Sequence, residues 1–543
     1  MNRKRAFAVL RLLSMLCLVA VLVGCGQPST PIPTAPPPPP NTPPPPDLNT
    51  SSLTYVCFPG EKPAIEIASN NEFIDHEVEL IGTEDALELV ASQEGLELIE
   101  VCPLGHLPPL HERFMGLYLI RDPNPENPLD PPDPAKPERH PEALRDAINS
   151  NPQYQGMEVE AELNYLVGAP STCADPHSGG GSAFGGLNPD ASADQLLTQW
   201  SLNTMGFAYQ APTTPNDIPV FVLDTVPASL RPDQTGMDHE MYSTRAWPNA
   251  DNDDPYFSLW TYDLLGDTPV EPGSGEDLDF SEHGFTVASA VRSVSSNSSL
   301  HLVRILNENG CAHTHKLASS IPPITEALQD SEKIRSVINM SLTLRTDDDP
   351  NLPHLKVVLR AANAVGAVIV AAAGNNSAEL PEPADIGFPA RFTGSDDEPY
   401  VVGVAASDPN GIRSCYSNKG DIAAPAGTGG PDGAGNDCAL RINSWSADPI
   451  PCDSEHGMGQ CGYGVINLTS EGAGYMTGTS YAAPKISGAA AVAFEVGASN
   501  REVVECMLER SAAYSDPDLG AGILNLDHIL SGAALAECEV TPP

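Results

Sequence analysis

The chain is 543 residues long with 41% hydrophobic residues, and its 72 Asp and Glu against 27 Lys and Arg give a formal net charge of −45 at pH 7. That length accommodates two or three domains and at least one large core. A surface this acidic repels nucleic acid and anionic headgroups, which argues against DNA or RNA as a partner and suits a solvated exterior.

The first element is a targeting segment. Met1-Asn2-Arg3-Lys4-Arg5 is basic, and the uncharged run from Leu12 to Gly24 is too short for an ordinary transmembrane helix but suits the apolar part of a signal peptide. The run ends in Leu22-Val23-Gly24-Cys25, which resembles the lipobox of bacterial lipoproteins. The resemblance implies loss of residues 1–24 and lipidation of Cys25, so that acyl chains anchor the protein at a membrane, on the cell surface or in the periplasm. The alternative is an exported soluble protein with an unmodified Cys25. Residues 25–51 read as a proline-rich tether; from 28 to 46 a polyproline helix at about 3.1 Å per residue would reach roughly 60 Å. Of twelve cysteines, Cys17 leaves with the signal and Cys25 takes the lipid, so ten remain, an even number that suggests disulfides in an exported chain. Cys57–Cys102, Cys506–Cys538 and two bridges among Cys415, Cys438, Cys452 and Cys461 are the pairs considered, although spacing does not fix connectivity. No CxxC pair occurs, so zinc is a poor reading.

Residues 52–167 read as a small α+β domain: a helix from Asp85, a strand Leu96–Val101, a proline-rich stretch 122–141, a helix Pro141–Ser150 and a strand Met157–Val167. Residues 168–190 contain the Gly/Ser-rich stretch Ser178–Gly186 and read as a linker. From 191 to 543, short apolar runs (Pro219–Leu223, Leu302–Leu306, Val337–Met340, Ala367–Ala373) alternate with helical patterns (Gly284–Val294, Lys316–Gln329, His354–Val365). That alternation predicts an α/β fold, a doubly wound parallel sheet with helices on both faces. Functional groups in such sheets gather at the carboxyl ends of the strands.

Four motifs fall at element edges, two of them at such strand ends and two at helix starts. Asp224-Thr225 ends the first run, where a carboxylate can orient an imidazole; an Asp there is also an ordinary turn or cap residue. His283-Gly284-Phe285-Thr286-Val287-Ala288 opens a small-residue helix, with Gly284 permitting close backbone approach. Gly374-Asn375 follows the run ending at Ala373, where an amide can donate to an oxygen that becomes negative in acyl transfer. Gly478-Thr479-Ser480-Tyr481-Ala482-Ala483-Pro484 opens a long helix, placing Ser480 at the positive end of a dipole, with Pro484 expected in the first turn.

In this order the motifs resemble the subtilisin-like (subtilase) serine protease family, over residues 190–530. The resemblance implies Asp224, His283 and Ser480 as catalytic triad, Asn375 as oxyanion donor, and Ser341, Leu342, Ala373 and Gly374 as substrate-binding residues. Protein or peptide substrates follow, with no cofactor for catalysis and a monomeric state. The helix, Asn149-Ser150-Asn151-Pro152 and the acidic strand after it are similar to the family's propeptides, so the chain's own 52–167 segment becomes a partner of the catalytic domain. The sequence departs from the family pattern at Val226, Thr343, Phe285 and Tyr481, changes expected to narrow the cleft or slow the enzyme. The insertion between Asp224 and His283 carries Asp251–Asp254, which reads either as a calcium ligand set, unassigned, or as a solvated acidic loop. A catalytically inactive subtilase scaffold serving as a surface binding protein is the competing function. An esterase fits less well, because Gly-x-Ser-x-Gly is absent around Ser480.

Overall fold

The computed structural model describes residues 58–59, 73–104, 113–120, 141–168, 183–187, 199–207, 218–227, 230, 240–244, 257–264, 282–308, 310–330, 335–344, 350–379, 383–394, 399–428, 465–469, 472–513 and 517–539. All lie within one compact unit, Pro44–Pro543. The signal segment, Cys25, the tether, Asp251–Asp254, Cys57, Cys173, Cys438, Cys452 and Cys461 lie outside the described residues.

The N-terminal strands are β1 (Phe58–Pro59), β2 (Phe73–Gly82), β3 (Leu96–Pro103), β4 (Phe114–Ile120) and β5 (Glu160–Gly168), with helices α1 (Glu84–Glu94), α2 (Pro141–Ser150) and α3 (Pro152–Gln155). The expected helix at Pro141–Ser150 has those bounds, and the strand expected from Met157 begins at Glu160. The sheet is antiparallel in the order β1-β3-β4-β2-β5. One face packs α1 and α2 through Val78, Leu80, Leu87, Val90, Leu144 and Ile148. Strand alternation then turns Glu77 and Glu79 to the opposite face, where both are fully buried.

Strand β6 is Ala183–Leu187, inside the segment read as a linker, and helix α4 is Trp200–Thr204. The principal sheet uses β7 (Pro219–Asp224), β8 (Glu240–Thr244), β9 (Phe257–Asp263), β10 (Ser299–Arg304), β12 (Ser336–Met340), β14 (Ala367–Ala372), β15 (Val402–Ser407), β16 (Ile422–Pro425), β19 (Ala512–Ala513) and β20 (Ile523–Leu524). Its order is β19-β20-β16-β15-β14-β12-β7-β10-β9-β8, parallel throughout except for the antiparallel edge pairs β8–β9 and β19–β20. Two short strands, β11 (Cys311–His313) and β13 (Thr343–Leu344), stand outside it, and β17 (Val465–Thr469) with β18 (Gly472–Thr477) forms a separate hairpin.

The helices are α5 (His283–Val294), α6 (Thr314–Asp330), α7 (Pro353–Ala364), α8 (Thr479–Glu495), α9 (Arg501–Arg510), α10 (Leu526–Leu530) and α11 (Ala533–Glu539). β7 shows why its run is uniformly apolar. Val220 and Val222 pack with Val287, Val291 and Ala489 of α5 and α8, whereas Phe221 and Leu223 pack with Ala318, Ile321 and Leu355 of α6 and α7. Helices therefore cover both faces of the sheet, as expected. The Cys506–Cys538 bridge joins α9 to α11 with a Cα separation of 5.9 Å. Cys102, Cys311 and Cys415 are also disulfide-bonded.

The buried carboxylates of the N-terminal sheet meet α6 and α7 at their starts. Thr314 Oγ1 donates to Glu79 Oε1 at 2.6 Å, and His354 Nδ1 lies 2.8 Å from Glu79 Oε2. The amides of His315 and Leu352 donate to Asn164 Oδ1 and Glu162 Oε2. Acidic and amide acceptors at two helix N-termini satisfy donors that have no intrahelical partner.

Candidate active site

Asp224 is the last residue of β7 and fully buried. Its Oδ1 lies 2.8 Å from His283 Nδ1 and accepts a second bond from the Thr225 amide at 2.7 Å. His283 is the first residue of α5, at the helix start where its motif was expected, and is 4% exposed. Gly284 makes the approach possible: a Cβ there would stand 2.1 Å from the Thr225 carbonyl oxygen and 2.8 Å from Asp224 Cβ. The Gly284 amide donates to Thr225 Oγ1, which ties α5 to the end of β7.

Ser480 is the second residue of α8. Gly478, with φ of 137°, turns the chain into the helix from β18. The Tyr416 hydroxyl accepts from the Gly478 amide at 3.1 Å and contacts Thr477 Oγ1 at 3.1 Å, and burial pushes its pKa up to about 12. Pro484 is the sixth residue of α8 and so lies beyond the first turn where it was expected. Its missing N–H leaves the Ser480 carbonyl without an i+4 donor, and Ser341 Oγ donates to that carbonyl instead at 2.9 Å. Ser480 Oγ in turn donates to the Ser341 carbonyl at 3.3 Å. Ser341 and Ser480 thus hold each other by reciprocal bonds, a role for the Ser341 hydroxyl that motif reading does not supply.

Asn375 follows β14 and is 1% exposed. Its Oδ1 accepts from the Thr479 amide at 3.0 Å and from Thr479 Oγ1 at 2.9 Å, which fixes the amide beside the start of α8. Its Nδ2 is buried and has no hydrogen-bond partner among the described residues. Asn418 braces this loop: its Oδ1 accepts from the Asn376 amide, its Nδ2 donates to the Ala373 carbonyl, and its own amide donates to the Gly374 carbonyl. Asn418 escapes sequence reading because an Asn inside a Ser-Asn-Lys-Gly turn has many ordinary uses.

Leu342 is fully buried in the apolar cluster shared with α6 and α7, and Ala373 is buried as well. Of the departures from the family pattern, Val226 and Phe285 sit in the α5–α8 core. Tyr481 packs behind His283, with ring centroids 5.7 Å apart. These three side chains are taken up by packing, so none of them serves to narrow a cleft. Thr343 is different, because it pairs with a strand from the N-terminal sheet. β5 lies between β11 and β13, with Gly168 opposite both Cys311 and Thr343, and Val167 opposite both Ala312 and Leu344.

Among the described residues, one cluster has metal-ligand composition: Glu100, Cys102 and His315 offer atoms within 4.8 Å of one another. Cys102 is disulfide-bonded, so its sulfur cannot serve as a thiolate ligand. The cluster is an ion-paired network instead. Burial raises the Glu100 pKa, but the His315 hydrogen bond and the Lys316 charge outweigh it and hold the carboxyl at about 2. Burial, then the charges of His315 and Lys316, pushes the pKa of neighbouring His313 down to about 3.

Residues 256–525 match the model of the subtilase family, a range that includes His283, Asn375 and Ser480 and begins after Asp224. No curated protein matches the chain. Among solved structures, fervidolysin from Fervidobacterium pennivorans, described as a keratinolytic enzyme related to subtilisin, is 17% identical with a TM-score of 0.49, over 88% of this chain and 63% of fervidolysin. The leader-peptide-processing serine protease EpiP of Staphylococcus aureus is 16% identical with a TM-score of 0.46, over 84% of this chain and 98% of EpiP. A point mutant of the PatA protease domain is 20% identical with a TM-score of 0.38, over 60% of this chain and 99% of that domain. Through residues 256–525 the chain belongs to the subtilase family.

Proposed function

We propose that the chain is a serine endopeptidase made as a lipid-anchored zymogen. Ser480 Oγ attacks the peptide carbonyl while His283 takes its proton, and Asp224 holds the imidazole tautomer and stabilises the imidazolium. Asn375 Nδ2 and the Ser480 amide donate to the tetrahedral oxyanion. His283 then protonates the leaving amine, and water hydrolyses the acyl-enzyme, returning the proton to Ser480 through His283.

The observation that carries this reading is the unpartnered Asn375 Nδ2. A buried donor left unmade costs about 1–3 kcal/mol. Here Thr479 holds Oδ1, so the amide cannot turn to relieve that cost. The cost is explained if the acceptor arrives with the substrate as an oxyanion. The zymogen part rests on β5, which is docked between β11 and β13 as an extended peptide would be. Residues 52–167 act as the inhibitory propeptide, 168–190 contain the processing site and 191–543 form the catalytic domain. The anchor on Cys25 then lies on the propeptide side, so processing releases the catalytic domain unless the two parts stay bound.

The test is full-length protein in detergent beside Ser480→Ala, followed by mass spectrometry for self-cleavage within 168–190 and by casein hydrolysis. Cleavage by the wild type alone is expected. Two folded but inert proteins would overturn the enzyme reading in favour of a binding scaffold. Radiolabelled palmitate on the wild type and its absence from Cys25→Ala test the anchor.

A further inference from the structure

Ser480 has chain strands on two sides, and both run with the polarity of a single substrate. β5 heads towards the site: its last residue, Gly168, is opposite Thr343, two positions from the Ser341 carbonyl that accepts from Ser480 Oγ. β6 heads away from it: its first residue, Ala183, is opposite Thr477, three positions before Ser480. β6 continues antiparallel along β18, with Phe184 opposite Met476 and Leu187 opposite Gly474. β18 has β17 on its other edge, so β6 covers the edge that would otherwise be open. An open strand edge beside a nucleophile is a docking place for extended peptide.

We propose that residues 183–187 are a second built-in inhibitory strand, which occupies the leaving-group side of the cleft and stays on the catalytic chain after processing. This rests on the protease reading above. The approaching strand departs with the propeptide, but β6 lies downstream of the cut and remains covalently attached. Its competitor is the part of a substrate that follows the scissile bond. Substrates that stop at the scissile bond need no space on β18 and escape the competition.

The experiment uses the full-length chain after self-processing, with residues 183–187 intact or replaced by Gly-Ser-Gly-Ser-Gly. Two substrates are compared: a peptidyl p-nitroanilide that ends at the leaving group, and a quenched fluorescent peptide of the same sequence extended by five residues. The loss of a few backbone hydrogen bonds from the competing strand predicts a rise of about tenfold in kcat/KM for the extended peptide and none for the p-nitroanilide. If the replacement does not fold, Gly185→Pro, which removes one backbone donor, is read on the same pair. An equal change on both substrates, or no change on the extended one, overturns the proposal. Inactivity of wild type and variants on both substrates overturns the protease reading beneath it.

Discussion

The two ends of the Asn375 side chain do different work, so two substitutions separate them. Asn375→Ala removes the free donor and also the acceptor of the Thr479 amide and hydroxyl, at 3.0 and 2.9 Å. The lost oxyanion donor predicts a fall of about 10²–10³ in kcat with little change in KM, a magnitude the family itself has supplied. The orphaned Thr479 amide adds a stability loss of about 1–3 kcal/mol. Asn375→Asp keeps an acceptor for Thr479 but sets a carboxylate oxygen where Nδ2 stood. Against an oxyanion about 4 Å away, at an effective dielectric of about 20, repulsion adds about 4 kcal/mol to the barrier, or about a further 10³ in rate. Asn375→Asp is therefore expected to be the slower enzyme, and near neutral pH also the less stable protein, because its second carboxylate oxygen is buried without a partner. Steady-state kinetics on a short chromogenic peptide and thermal melts give both orderings. Turnover by Asn375→Asp within tenfold of wild type would refute the oxyanion assignment.

Gly284→Ala puts a methyl 2.1 Å from the Thr225 carbonyl oxygen, so α5 must shift away from Asp224; a kcat loss above about 10² is expected, with a melting-point fall larger than a surface Gly→Ala change gives. Wild-type kinetics in this variant would show that α5 does not rest on β7 in this way. Lys485 is fully buried, donates to the Pro425 carbonyl, and burial lowers its pKa from 10.5 to about 7. The unfolded chain thus holds a proton that the folded one lacks between pH 7 and 10.5, and stability rises with pH across that window; at about 1.4 kcal/mol per pH unit the cost of the charged form is about 5 kcal/mol below pH 7. Lys485→Met should stabilise the fold most below pH 7 and progressively less towards pH 10, and a gain that does not vary with pH in denaturant titrations would contradict the burial argument.

Local chemistry accounts for the features that are legible in the sequence. β7, β12 and β14 are buried on both faces because helices cover both, and their largely apolar runs are hard to mistake. His283, Asn375 and Ser480 stand where a close backbone approach (Gly284) or a positive φ (Gly374, Gly478) demands glycine, which prints itself into short motifs. β10 begins at Ser299, earlier than the Leu302 its apolar core suggests, since Ser299 pairs with β7 and His301 with both β7 and β9. Cys506–Cys538 is among the pairs the sequence offers, and it forms because α9 and α11, separated by β19, β20 and α10, bring the two Cα atoms to 5.9 Å.

What stays hidden is long-range pairing. Val167 meets Ala312 and Leu344, both far along the chain, and nothing local to Leu-Val-Gly distinguishes a strand that docks in a cleft from one that completes a sheet. The same holds for Ala183–Leu187, whose glycines read as linker because flexibility and strand edge-pairing share a composition. Buried carboxylates are the third case. Glu77, Glu79 and Glu162 alternate with apolar residues and therefore look like a solvated face, yet the starts of α6 and α7 supply partners that let Glu79 and Glu162 be buried, and the Asn164 amide supplies one for Glu77. A sequence pattern reports which side chains share a face, and the partner that makes the face dry lies elsewhere in the chain. For this protein, that partner is the pair of helices α6 and α7, so the acidic stripe of the N-terminal sheet is the mark of an interface between that sheet and those helices.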